Sequence, residues 1–289
     1  MNETTARTAS VSDSTRDDRV LLATRIVAAG VIAILILAVI ALYLHPDETD
    51  QYFAWTIKQR MTAMAIGAGY LMGAYFFARV LTSSRWHRVA AGFLPLTAFT
   101  IGMALATILH WDKFHQGQWN ALLWAIVYAL TPFLVPFIWW RNQRTDPQTP
   151  EANDLTVPQT VRTAALVVGI AIALAGVLVF VQPELAKNVW PWTLTDLTAR
   201  VLAGWLMLPA IGGLYLMREP RWSGWRVLLE SASVGALFFL IAMIVAWSDW
   251  SQTNPLTWIT ALLIVGAVLG APTLILIVER QRRTAVART

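Results

Sequence analysis

Residues 26–44 read IVAAGVIAILILAVIALYL, nineteen positions without a charge, and this stretch decides which solvent the chain must be understood in. At about 1.5 Å of rise per residue, such a helix crosses a hydrocarbon core of about 30 Å. The run is too long for a signal-peptide core, and Asp17 and Asp18 before it do not suit a positive n-region, so it reads as a retained first span. Seven comparable runs follow, at 61–81, 88–109, 119–140, 161–181, 199–217, 226–247 and 256–278. Backbone groups in lipid have to be satisfied within the segment, so each run is expected to be a helix. The fold class that follows is an all-α integral membrane protein with eight transmembrane helices.

Composition agrees. Hydrophobic residues make up 57% of the 289 positions and charged residues 13%, with a mean hydropathy of +0.55. A soluble domain carries about a quarter charged residues, so the lipid bilayer is the partner the composition requires. The basic balance reports topology before anything else, and nothing in its pattern calls for nucleic acid. The fifteen Trp mostly flank the apolar runs, where an amphipathic ring favours the headgroup level. Trp55, Trp111, Trp119, Trp190, Trp192 and Trp250 are accordingly expected to be interface anchors. The chain has no cysteine, which excludes disulfides, thiolate metal sites and cysteine nucleophiles.

Lys and Arg alternate in density from segment to segment. Arg7, Arg16, Arg19 and Arg25 precede the first span, and Arg79, Arg85 and Arg88 lie in the second loop. Arg141, Arg144 and Arg162 lie in the fourth loop, Arg218, Arg221 and Arg226 in the sixth, and Arg280, Arg282, Arg283 and Arg288 close the chain. The intervening segments hold Lys58, Arg60, Lys113, Lys187 and Arg200. The positive-inside rule then puts both termini in the cytoplasm, N-in and C-in. With the Arg-heavy inner loops, a bacterial plasma membrane is the expected location.

The second half echoes the first. YFAWTIKQRMTAMAIGAG (52–69) is matched by NVWPWTLTDLTARVLAGW (188–205). An offset of 137 places Arg25 on Arg162, Pro46 on Pro183, Trp55 on Trp192, Gly67 on Gly204 and Asp112 on Asp249. SSRWHRV and EPRWSGWRV recur close to register, and the halves end in WWRNQR and VERQRR. Four spans per half is an even number, so the expectation is two parallel four-helix repeats about an axis along the membrane normal. The parts are a disordered tail over 1–19, a first repeat over 20–140, a linker over 141–160 rich in Pro, Gln, Thr and Asp that reads as a hinge, a second repeat over 161–278 and a C-terminal tail over 279–289. Pro95, Pro132, Pro136, Pro209 and Pro272 fall within spans and are candidate kinks.

Candidate chemistry is sparse. LHWDKFHQGQW (109–119) brings His110, Asp112 and His115 into one outer turn, and His45 lies on the same side. Histidine with carboxylate can hold a divalent metal or relay protons. On a continuous helix His110 and His115 are about 140° apart, so only a turn could bring them together, and a polar, aromatic membrane-interface loop accounts for the same residues. His87 sits among arginines on the opposite side and reads as an interfacial residue. Glu230, one turn into its span, is expected to pair with Arg226 at i, i+4. Charged residues at mid-span are lacking, which tells against ion-coupled transport, and no Walker A, HExxH or GxSxG motif occurs. Three functions follow in order: a non-enzymatic scaffold or accessory subunit partnered by other membrane proteins; a carrier or channel for an uncharged or lipid-like molecule along the seam between repeats; and an outer-face metal or redox site using His110, Asp112 and His115.

Overall fold

The computed structural model describes residues 16–286, with side chains through residue 284. Eight long helices dominate: α1 (Leu22–Val39), α2 (Arg60–Thr82), α3 (Phe93–Leu109), α4 (Trp119–Gln143), α5 (Gln159–Val181), α6 (Asp196–Leu216), α7 (Trp222–Val245) and α8 (Pro255–Val286). A π-helical turn, Ile40–Leu44, prolongs α1, and the short helix His87–Ala90 leads into α3. All eight units are long and apolar enough to cross a membrane, and the chain is a multi-pass membrane protein. Among the described residues, extended pairing is confined to two isolated bridges, Trp55 with Phe114 and Thr156 with Arg221.

Helix ends follow from local chemistry. Thr195 caps α6 in a capping box, its side chain accepting from the Thr198 N–H. Pro255 opens α8, where its missing N–H costs nothing, and Asn254 before it accepts from Leu256 N–H at 2.9 Å. Pro95 likewise lies in the first turn of α3, so it is not an interior kink; Pro132, Pro136, Pro209 and Pro272 are inside their helices.

The helices form two layers. In one, α1 packs on α2, α2 on α7 and α7 on α8; in the other, α4 packs on α3, α3 on α6 and α6 on α5. The N-terminal four helices therefore stand beside the C-terminal four, and the seam between them is made by α2 with α7 and α3 with α6. Close approach of α5 and α6 rests on small residues: a Cβ on Gly169 would lie 2.7 Å from Ala210 O and 3.2 Å from Gly213 Cα.

Two segments differ from the sequence reading. Residues 1–15 of the tail expected to be disordered lie outside the described residues, but Asp18 to Leu21 are anchored. Asp18 N–H donates to Thr145 O (2.8 Å), Asp18 O accepts from Trp86 N–H (2.6 Å), and the Asn142 amide donates to Arg19 O (2.9 Å). The linker is a strap across the end of the bundle rather than a free hinge: Val157 N–H donates to Pro220 O (2.8 Å), and Asp146 and Glu151 are each gripped by arginine. Buried polar partners far away in sequence hold both segments, which local composition does not reveal.

Candidate functional site at the seam

The expected outer residues are all placed, each with partners within the protein. Arg200 Nη1 donates to His110 Nε2 at 2.7 Å, while Arg200 Nε donates to Phe180 O at 3.1 Å. Burial, followed by the Arg200 charge, pushes the His110 pKa down, as suits a neutral ring that accepts. His115 Nδ1 donates to Phe53 O (3.1 Å), and its Nε2 meets Thr56 Oγ1 (3.0 Å). Asp112 is exposed and paired with Lys113 at 2.8 Å, and His45 Nδ1 donates to Ile40 O at 3.0 Å. The turn Trp111–Lys113 thus separates His110 from His115. Among the described residues no three His, Asp or Glu side chains are arranged to hold a metal ion.

The tryptophans divide into two groups. Trp111 and Trp119 are 41% and 63% exposed, and Trp190 is half-buried. Trp55, Trp192 and Trp250 instead face inward and are buried. Trp55 packs against Phe53, Phe114 and Trp124, with ring centroids 4.6, 5.2 and 4.9 Å away, and Trp192 lies 4.7 Å from Trp250. Their aromatic area stabilises the ends of the core, which outweighs the headgroup preference.

Bonds and packed rings cross the seam throughout its depth. At the end opposite the arginine-rich loops, Asp249 accepts from Met61 N–H at 2.7 Å, and Trp192 Nε1 donates to Thr62 Oγ1 at 2.8 Å. Tyr43 from the π-turn donates to Phe238 O at 2.7 Å. At mid-depth the Trp205 ring sits 4.5 Å from Phe99 and 5.3 Å from Tyr70, and Gly102 meets Gly204 closely. Nearer the basic end, Glu230 forms its i, i+4 bond with Arg226 (2.7 Å) and reaches across to Tyr75 (3.0 Å) and Arg79 (3.2 Å).

The basic end holds a network that the sequence reading missed. His87 is 1% exposed, with Nδ1 2.5 Å from Asp18 Oδ2 and Nε2 2.9 Å from Ser223 Oγ and 3.0 Å from Glu151 Oε1. The Ser223 hydroxyl also donates to the Asp154 carboxylate. Asp18 accepts from His87 N–H (3.0 Å) and Asp154 from Ser223 N–H (3.2 Å), in the first turns of the short helix His87–Ala90 and of α7. Arg88 grips Glu151 through Nε (2.5 Å) and Nη2 (2.7 Å). The order Asp–His–Ser is that of hydrolytic relays, but the Ser223 proton is committed to Asp154 and the hydroxyl is buried. Asp18, Glu151 and Ser223 all face the ring, so the arrangement bonds the entry of α3 to the first turn of α7. The signal that could have found it is the repeated Arg-Trp pair, since His87 and Ser223 each follow the Trp.

On the first half's outer flank, α1 and α4 meet at the basic end, where Thr24 bonds Asn142, and part towards the opposite end. The crevice between them has ≈ 80 Å³ of free volume, an apolar lining and Tyr70 and Tyr128 at its floor. Comparison with known proteins finds no matching protein-family model, no matching curated protein and no matching solved structure.

Proposed function

We propose that the chain is a non-enzymatic membrane scaffold or accessory subunit, built from two parallel four-helix repeats with both termini cytoplasmic in a bacterial plasma membrane. The observation that carries this reading is the seam itself. It is filled with side chains at mid-depth and cross-bonded from Asp249–Met61 at one end to His87–Ser223 at the other. A body pinned at every level suits a part that holds other proteins in place. A carrier working by alternating access would have to break these bonds in each cycle.

Paired contacts support the duplication. Trp86 N–H to Asp18 O is echoed by Trp222 N–H to Leu155 O, and His115 N–H to Ala54 O by Ser251 N–H to Pro191 O. Trp86 Nε1 donates to Gln143 as Trp222 Nε1 donates to Glu279, both at 3.0 Å. The spacing is 137 between Ala54 and Pro191 and 136 between Trp86 and Trp222, so one residue separates the two registers. The Arg-rich loops support the cytoplasmic assignment of the end that carries both termini.

Purification from its own membranes under gentle solubilisation should recover a second chain in fixed proportion. Sustained flux of an uncharged solute or lipid through proteoliposomes, abolished by a disulfide engineered across the seam, would overturn the scaffold reading in favour of the carrier. Because the chain has no cysteine, single cysteines report sidedness cleanly: Ser84→Cys should be shielded from an impermeant thiol reagent in whole cells, and Gln116→Cys labelled.

A further inference from the structure

We propose that the crevice between α1 and α4 binds a lipid-soluble carbonyl compound of the quinone class, whose oxygen takes a hydrogen bond from the Tyr70–Tyr128 pair. The two hydroxyls lie 3.0 Å apart, and both side chains are buried. Two phenols carry two protons but make one mutual bond, and neither has another partner among the described residues. One O–H donor is therefore left over in an apolar surrounding, where an unmet donor is costly. Both residues line the crevice, so the unmet donor lies beside the space a ligand would enter.

Depth selects the occupant. Tyr70 lies ten residues beyond Arg60 and Tyr128 nine beyond Trp119, which puts each about 14–15 Å into a core of about 30 Å. The ester carbonyls of a diacyl lipid belong at the hydrocarbon boundary, and drawing one to mid-bilayer would drag its polar headgroup with it. A quinone carries acceptor oxygens on an apolar body and has no such penalty. Leu35 and Ala38 of α1, Ala41 of the π-helical turn, and Leu123, Trp124 and Val127 of α4 supply apolar walls for ring and chain. The mouth opens beside Trp119, which is exposed towards the bilayer. Tyr70 also packs on Trp205 in the seam, but every residue lining the crevice belongs to the first half, so binding there does not depend on the scaffold reading.

Titration of the purified protein in nanodiscs with a decyl-substituted benzoquinone, read by quenching of tryptophan fluorescence, tests this. Wild type should saturate. Tyr70→Phe with Tyr128→Phe, which removes only two oxygens, should weaken binding roughly tenfold at an unchanged melting temperature. Ala38→Leu, which fills the crevice and leaves both hydroxyls in place, should abolish saturation. Linear quenching in wild type, an unchanged affinity in the double variant, or native mass spectrometry showing a diacyl lipid that the quinone does not displace would each overturn the proposal.

Discussion

His87 Nε2 lies 2.9 Å from Ser223 Oγ, so an imidazole from the entry to α3 meets a hydroxyl from the first turn of α7 at the basic end of the seam. Each is backed by its own aspartate, Asp18 for His87 and Asp154 for Ser223. The two partners are not equal in consequence. His87→Ala removes the ring that Asp18, Glu151 and Ser223 all face. Arg88 still holds Glu151, but the buried Asp18 keeps only the residue-87 N–H and the more distant Arg85, and losing several bonds of about 1–3 kcal/mol each makes this the costlier change. Ser223→Ala keeps the backbone N–H that Asp154 accepts, and should cost about 1–3 kcal/mol. Thermal unfolding in detergent should rank His87→Ala well below Ser223→Ala, and equal small shifts would contradict a structural role for the ring.

Arg221 sets the acid response of the same end. Its guanidinium reaches Asp146 through Nη1 and Nη2 (2.8 and 2.9 Å) and Glu219 through Nε and Nη2 (both 2.7 Å), all three side chains being buried. Burial alone would raise the Asp146 pKa. The Arg221 bonds and the Gln148 N–H outweigh it, and the carboxyl is held below its ordinary range. A carboxylate depressed on folding adds stability above its unfolded pKa and forfeits it as the pH falls through the folded one. The loss should therefore set in below about pH 4. Arg221→Met reverses the sign, because burial without the cation pushes the Asp146 carboxyl towards protonation. The variant should melt far below wild type at pH 7, and the gap should narrow on acidification; a constant gap from neutral to acid pH would sink this account.

The eight spans were legible because hydrocarbon thickness imposes a run length that composition alone reveals, as 26–44 does for α1. Their edges were less so. α4 runs on to Gln143 and α8 to Val286, since a helix can continue beyond the membrane once its first turns are fixed. The Glu230–Arg226 pair was readable because it is local, at i, i+4. The Asp18–His87 contact spans 69 positions and Arg221–Asp146 spans 75, and no local pattern announces either. Asp18 lies in a polar Ser/Thr/Asp stretch whose composition gives no sign of its distant partner. The inward turn of Trp55 and Trp192 escaped for a related reason: an interface Trp and a core-capping Trp occupy the same place at the end of a span, and only the neighbouring chain distinguishes them.

Glycines that look alike in sequence differ in what surrounds them, and the difference is measurable. Gly169 in α5 faces the backbone of α6, with Ala210 O 2.7 Å and Gly213 Cα 3.2 Å from the position a Cβ would take. Backbone atoms of a packed helix cannot swing aside as a side chain can, so Gly169→Ala has to push α5 away from α6 along their contact. Overpacking of this kind costs about 1–3 kcal/mol, more than the gain of up to about 1 kcal/mol from Ala's better helix propensity. Gly266 in α8 has nothing within 4 Å of the same position, so Gly266→Ala keeps the propensity gain without a clash. Unfolding of the two variants in the same detergent should shift in opposite directions, Gly169→Ala downward and Gly266→Ala level or upward. A Gly169→Ala protein as stable as wild type would mean that α5 is free to move off α6, and the small-residue contact would then not be what fixes α5 on the bundle.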